Sequence, residues 1–328
     1  MGQVHQLDAP RLVQQLRAWA DELGLSQIGI AGVDLAAAEP GLRAWLDAGF
    51  HGSMAYMARH GLKRARPAEL VPGTVSVIGA RLAYLPAQAG GDWRAHEWQR
   101  LARPADAAVS VYARGRDYHK VLRKPLIALA RFLDAFGVET PSYASVDSGP
   151  VMERAWAERA GVGWVGKNSL VLRRDIGSWF FLGTVVTEVS LAPDAPMGEH
   201  CGTCRACLDA CPTGAIVADG VVDSNRCISY QTIENREEIP SQLHSQLAGW
   251  VFGCDICQDV CPWNRFARPT TEPGFAARSG QTSPDLDELL KLDERRFDAR
   301  FAGTAIRRAK WRGMVRNARI ALRNAGKT

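Results

Sequence analysis

All eight cysteines of this 328-residue chain lie between Cys201 and Cys261. Disulfides of a secreted protein are spread along the chain, whereas cysteines packed into one window point to metal or redox chemistry. The first run is Cys201-x2-Cys204-x2-Cys207-x3-Cys211-Pro212. This is the bacterial ferredoxin spacing, in which three thiolates wrap one 4Fe–4S cluster and the fourth reaches a second. The second run, Cys254-x2-Cys257-x3-Cys261-Pro262, lacks its first cysteine, and Cys227 is the one left to supply it. The expected sets are therefore crossed: Cys201, Cys204, Cys207 and Cys261 for one cluster, Cys211, Cys227, Cys254 and Cys257 for the other. A pair of zinc sites is the competing reading. Zinc-binding pairs usually stand apart as separate knuckles, and a doubled x2, x3-Cys-Pro pattern favours iron–sulfur.

Clusters of this kind carry single electrons, so the chemistry they feed lies elsewhere in the chain. At 46% hydrophobic and 23% charged, the composition is that of a globular protein with a substantial core. No apolar run is long enough to span a bilayer, and residues 1–10 contain no secretory h-region, so a cytoplasmic protein is expected. Residues 8–23 have helical periodicity, with Asp8 as the expected N-cap, and residues 117–136 repeat apolar side chains at three- and four-residue steps. Further helices are expected at 41–48, 54–60 and 150–160, the last with Pro150 at its first position. Strands are expected at 26–33, 75–80, 108–113, 163–172 and 179–189. The mixture, without strict alternation, indicates an α+β fold. The expected organisation is an α+β domain over 1–190, a ferredoxin-like two-cluster domain over 191–268 and a helical, basic segment over 269–328. From Ala299 to Thr328 there are nine Lys or Arg and no Asp or Glu, which predicts a polyanionic partner. Arg308, Arg312, Arg316, Arg319 and Arg323 step by four, four, three and four, so a single helix would carry all five on one face. Such a stripe suits phosphates, although many are simply solvated faces.

Six segments combine with the cysteines into a larger pattern. They are HGLKRARP at 60–67, ARGRDYH at 113–119, VDSGPVMER at 146–154, AGVGWVGKNS at 160–169, CISYQTIE at 227–234 and CPWN at 261–264. With them the chain resembles the epoxyqueuosine reductases over nearly all of residues 5–325. The resemblance implies a cobalamin-binding α/β N-terminal domain. It also implies reduction of epoxyqueuosine to queuosine at the wobble position of tRNA, with electrons passed through the clusters to cobalamin. The implied partners are tRNA carrying epoxyqueuosine and an external low-potential electron donor; a monomer off the membrane is expected. Many relatives continue into a longer helical tail, and the resemblance implies that such a tail serves substrate affinity rather than the core reaction.

The resemblance also distributes roles. Asp147 falls on the proton-donor position; the competing reading is an N-cap for a helix starting near Pro150. Asp117, Tyr118 and His119 match a motif near the active site, although Tyr118 also lies on the apolar stripe of its helix. Arg64 matches an arginine at the cobalamin periphery, against the alternative of a solvated surface charge. Lys167, Asn168 and Ser169 end a glycine-rich turn, which is not GxGxxG, expected beside the corrin. Ser229 and Tyr230 are expected between the second cluster and the cobalt, and Ser110 on the substrate side of the metal. Two other functions compete: a reductive dehalogenase-like cobalamin enzyme acting on a small substrate, and a non-catalytic ferredoxin-type carrier. The dehalogenases' exported members carry a twin-arginine signal not seen here. A carrier has no need of some 190 residues ahead of its clusters.

Overall fold

The computed structural model describes residues 9–86, 93–103 and 106–326. Its central element is a four-stranded antiparallel sheet in the order Gln27–Ala31, Ser76–Ala83, Phe180–Thr187, Tyr143–Ser145. Helices cover both faces. On one side lie Ala9–Glu22, through Leu12, Leu16 and Ala20, and Tyr118–Asp134, through Leu122, Leu126, Leu129 and Leu133. They meet Ile28, Ile30, Ile78, Leu82 and Val185 of the sheet. On the other side the helix Glu153–Arg159 packs Trp156 and Ala157 against Val77 and Val186. That helix ends so close to the first strand that a Cβ on Gly29 would stand 2.0 Å from the Ala160 carbonyl oxygen. Only glycine fits at that position.

Both long helices appear where periodicity places them; Asp8, the expected cap of the first, lies outside the described residues. Three expected elements differ. Residues 108–113 form a strand only at Ala108–Val109, which leaves the sheet and pairs in parallel with Trp250–Phe252 beside the second cysteine run. Residues 163–172 split into a hairpin of Trp164–Val165 with Val171–Leu172, because the Gly166 N–H turns back to the Leu170 carbonyl. The helix expected from Pro150 begins at Glu153 and has Met152 at its N-cap, since the preceding residues are used in a tight turn described below.

A second core forms where the C-terminal helices meet that parallel pairing. Leu286, Leu289, Phe297, Phe301, Met314 and Ala318 pack on Val109, Ala113, Val251 and Phe252. Asn317, fully buried in the helix Lys310–Asn324, donates to the carbonyls of Thr232 and Val251 at 2.8 Å each.

This packing corrects the arginine stripe. Arg316 points inward and is 9% exposed. Its guanidinium donates to the carbonyls of Gln231, Asn235 and Glu237. These lie at and just beyond the end of the helix Ile228–Ile233, where the last carbonyls have no partner within the helix. Arg308 precedes the C-terminal helix and is paired with Glu234 at 2.7 Å. Arg308, Arg312, Arg319 and Arg323 are all exposed. Replacing Arg316 with Gln is expected to lower folding stability by about 1.5–3 kcal/mol, the worth of a hydrogen bond to a charged group. The same change at Arg312 or Arg319 should cost less than about 0.5 kcal/mol. Denaturant unfolding of the three variants measures this, and an unchanged midpoint for Arg316→Gln would count against the anchoring role.

Candidate functional site

The structure brings the cysteines of both runs and Cys227 into one region. Cys261 lies near Cys201, Cys204 and Cys207, and these four help line a cavity of about 220 Å³ with Lys167, Asn168, Trp263 and Arg265. Cys227 lies near Cys211, Cys254 near Cys257 and Cys227, and Cys257 near Cys227, Cys211 and also Cys207. Burial pushes the thiols of Cys254 and Cys257 well up, and the nearby thiols of the same group add to it. Trp164 supplies a test of fit. Among the described residues its buried indole N–H has no hydrogen-bond partner, yet it sits where it favours the Cys201 thiolate. A donor left over beside a thiol suits a sulfur-rich anionic group. Among the described residues, no three His, Cys, Asp or Glu are arranged to hold a single metal ion.

Between the second cysteine group and the sheet stands a wall of packed side chains. Tyr112, Tyr118, Glu153, Cys254 and Cys257 are deep in the fold, yet each keeps some accessible surface. The Tyr112 ring packs between Tyr118, Phe181 and Phe252. Its hydroxyl has no hydrogen-bond partner among the described residues. Burial raises its pKa, and Asp147 on one side and Asp255 on the other raise it further. An aromatic wall with one unpaired hydroxyl, that of Tyr112, fits a large flat group with a hydrogen-bonding rim.

Asp147 stands on this wall. It is the middle residue of a three-residue turn, closed by the Ser148 N–H to the Val146 carbonyl at 2.5 Å. Its φ of +55° places it in the left-handed region, a conformation that costs a non-glycine residue about 1–3 kcal/mol. The carboxylate is not a helix cap: Tyr118 donates its hydroxyl to Oδ2, and His119 Nε2 lies 3.7 Å from the same oxygen. His119 is oriented in turn by Asp117, whose Oδ1 lies 2.8 Å from Nδ1 and also accepts the His119 N–H, capping the helix. Desolvation alone would raise the Asp117 pKa; the His119 hydrogen bonds outweigh it and hold it below the ordinary value. The Asp147 side chain is 64% exposed, so it is open to an incoming molecule.

The other expected residues have varied placements. Arg64 is no surface charge: it is buried and donates to the carbonyls of Tyr56 and Met57, within electrostatic reach of Asp147. Ser110, expected to face the metal, is buried with its hydroxyl on Asp255. Tyr230 is buried and bonded to Ser53 at 2.7 Å, while Ser229 stays half-buried. Lys167 and Asn168 line the cavity at the first cysteine group, and Asn168 also donates to the Cys257 carbonyl at 3.1 Å. Ser169, at φ +65°, is held by Arg154. Sequence reasoning assigned no role to Tyr112, Glu153, Arg154 or Asp255. Glu153 and Arg154 sit inside the matching segment 146–154, and that segment was the available signal.

A double group of cysteines joined to an α+β domain with a carboxylate on its inner wall defines an iron–sulfur oxidoreductase. A family model described as a 4Fe-4S double cluster binding domain matches residues 200–264, and one described as epoxyqueuosine reductase QueG, DUF1730, matches residues 64–148. The epoxyqueuosine reductase of Alicycliphilus denitrificans is 53% identical over 316 residues, covering 96% of this chain and 88% of that protein. The chain belongs to the epoxyqueuosine reductases. Solved members agree with the fold. One, described with an epoxyqueuosine-modified tRNA-Tyr stem loop, superposes at a TM-score of 0.85 and 28% identity, covering 98% of this chain and 83% of that one. Another, from Bacillus subtilis, has the same scores and coverage and is described with an aspartate-bearing catalytic loop swung out of the active site.

Proposed function

We propose that this protein reduces epoxyqueuosine in tRNA to queuosine, with Asp147 as the proton donor. The reaction takes the epoxide, two electrons and two protons to an alkene and water. The observation that carries the reading is the placement of Asp147. It is an accessible carboxyl in a strained turn, aimed at Tyr118 and His119, on a wall whose other end is the second cysteine group. The 4Fe–4S clusters would be held by Cys201, Cys204, Cys207 and Cys261, and by Cys211, Cys227, Cys254 and Cys257. Cobalamin would lie against Tyr112, Ser229 and the turn ending at Ser169, with Arg64 behind. When bound, it supplies a strongly reducing cobalt centre, fed one electron at a time through the clusters from an external low-potential carrier. The protein's own part is positional and protic. A modified base seated over Asp147 removes that carboxyl from water, the setting in which a carboxylic acid keeps a proton to give. As the C–O bond breaks, negative charge builds on oxygen, and Asp147 is placed to protonate it. Tyr118 and His119 keep the carboxyl pointed at that oxygen. Arg312, Arg319 and Arg323 offer cations for the tRNA phosphates, and the loop that moves in the Bacillus subtilis relative corresponds in this reading to the turn at Asp147.

Asp147→Asn keeps the shape and removes the proton. Single-turnover conversion of an epoxyqueuosine stem loop, followed by mass spectrometry with cofactor loading checked, should fall by about 10²–10⁴-fold. Near-normal conversion at full loading would remove Asp147 from the role. The cluster assignment has its own test in Cys261→Ala. Reconstituted protein should hold about eight iron, and this variant should lose the cluster held by Cys201, Cys204 and Cys207 although Cys261 belongs to the second run. Loss of the Cys254–Cys257 cluster instead would show that the sets are not crossed.

A further inference from the structure

We propose that Glu153 is a positioning residue whose carboxyl holds the strained turn that presents Asp147. The inference rests on the donor reading of Asp147 for its consequence in catalysis, but its structural content stands separately. Glu153 is the first residue of its helix, and its Oε1 accepts the backbone N–H of Asp147 at 2.8 Å. The same oxygen lies 3.3 Å from the Ser145 hydroxyl, on the other side of the turn. One carboxyl therefore grips the turn at its entry and at its apex. The apex is where the grip matters, because Asp147 is held at positive φ and a non-glycine residue returns to negative φ when released. Relaxation there rotates the side chain away from Tyr118 and His119.

Two further observations fit a holding role. Among the described residues no Lys, Arg or His is paired with Glu153, so its partners are the turn itself. Burial, with Asp147 nearby, pushes the Glu153 pKa up to about 8. A protonated Glu153 still accepts through its carbonyl oxygen, without adding a second negative charge beside Asp147. Gly149, next in the turn, is packed equally closely: a Cβ there would stand 2.2 Å from the Ser145 hydroxyl. The turn has a fixed seat, and Glu153 is its polar side.

The test compares Glu153→Ala and Glu153→Gln in protein reconstituted with both clusters and cobalamin. Glutamine keeps the carbonyl acceptor; alanine removes it. In Glu153→Ala, hydrogen exchange of the peptide covering 145–152 should speed up by roughly tenfold or more. The kcat on an epoxyqueuosine stem loop should fall by roughly 10- to 100-fold, from the strain no longer offset, while KM changes by less than about threefold. Glu153→Gln should keep the wild-type exchange pattern and most of the kcat. Should the alanine variant fail to fold, Glu153→Asp, one methylene short of the turn, takes its place with the same expectation. Wild-type exchange in Glu153→Ala would overturn the proposal. So would a Gln variant as damaged as the Ala variant, because that outcome marks a proton role rather than a grip. Exchange is read without turnover, so a failure of the Asp147 assignment leaves this part of the test standing.

Discussion

The Asp255 carboxyl ties the second cysteine run to the segment at Ser110 and Val111. It accepts the Ser110 hydroxyl at 2.5 Å and the Val111 N–H at 2.7 Å, from a position between Cys254 and Cys257. Burial pushes its pKa up, and those two hydrogen bonds work against the shift. The adjoining parallel pairing of Ala108–Val109 with Trp250–Phe252 is only two residues long on one side. Short pairings are weak by themselves, and here the fully buried Asn317 and the C-terminal helix close over it. From this joint the chain runs through Tyr112 to Asp117, Tyr118 and His119. The segment fastened beside the second cysteine group therefore also orients the carboxyl of Asp147. Removing the Asp255 carboxylate would leave Ser110 and Val111 as buried, unpaired donors, a costly state in a desolvated place.

The same economy appears at Asp147. A non-glycine residue at positive φ is unfavourable alone and persists where its surroundings over-determine it. Here the Tyr118 hydroxyl, the His119 ring and the Glu153 carboxyl converge on one residue. Tyr118 is itself stacked on Phe181 of the central sheet at 4.3 Å and 6°. The geometry of the Asp147 carboxyl is thus inherited from the central sheet through one aromatic contact.

Much of this was legible in the sequence, for identifiable reasons. The cysteine spacing is local and obeys cluster geometry, so a double-cluster domain could be written down before any fold. The long helices announce themselves by period, and the family resemblance pointed to the Asp147 segment. Illegible were the features that depend on what approaches from elsewhere. Arg316 shares a periodicity with Arg312, Arg319 and Arg323, but periodicity cannot tell which part of a helix meets the orphaned carbonyls of Gln231, Asn235 and Glu237. The strand at Ala108–Val109 was expected to be longer, because its partner is more than a hundred residues away and competes with Asp255 for the next backbone group. Glu153 resembles an ordinary acidic residue in a first helical turn until the backward reach of its carboxyl to Asp147 is seen. Pro150 looked like a helix start because prolines favour that position, and the turn that displaces the helix has no signature of its own.

In the proposed reaction, electrons and protons meet between the second cysteine group and Asp147. The most direct measurement is a crystal structure of the protein reconstituted with iron, sulfide and cobalamin and bound to an epoxyqueuosine stem loop. The expected result has the modified base against Asp147, Tyr118 and His119, with the cofactor between it and the Cys254–Cys257 edge. A base bound away from Asp147, or a cofactor seated against the Cys201–Cys204–Cys207 group instead, would contradict it.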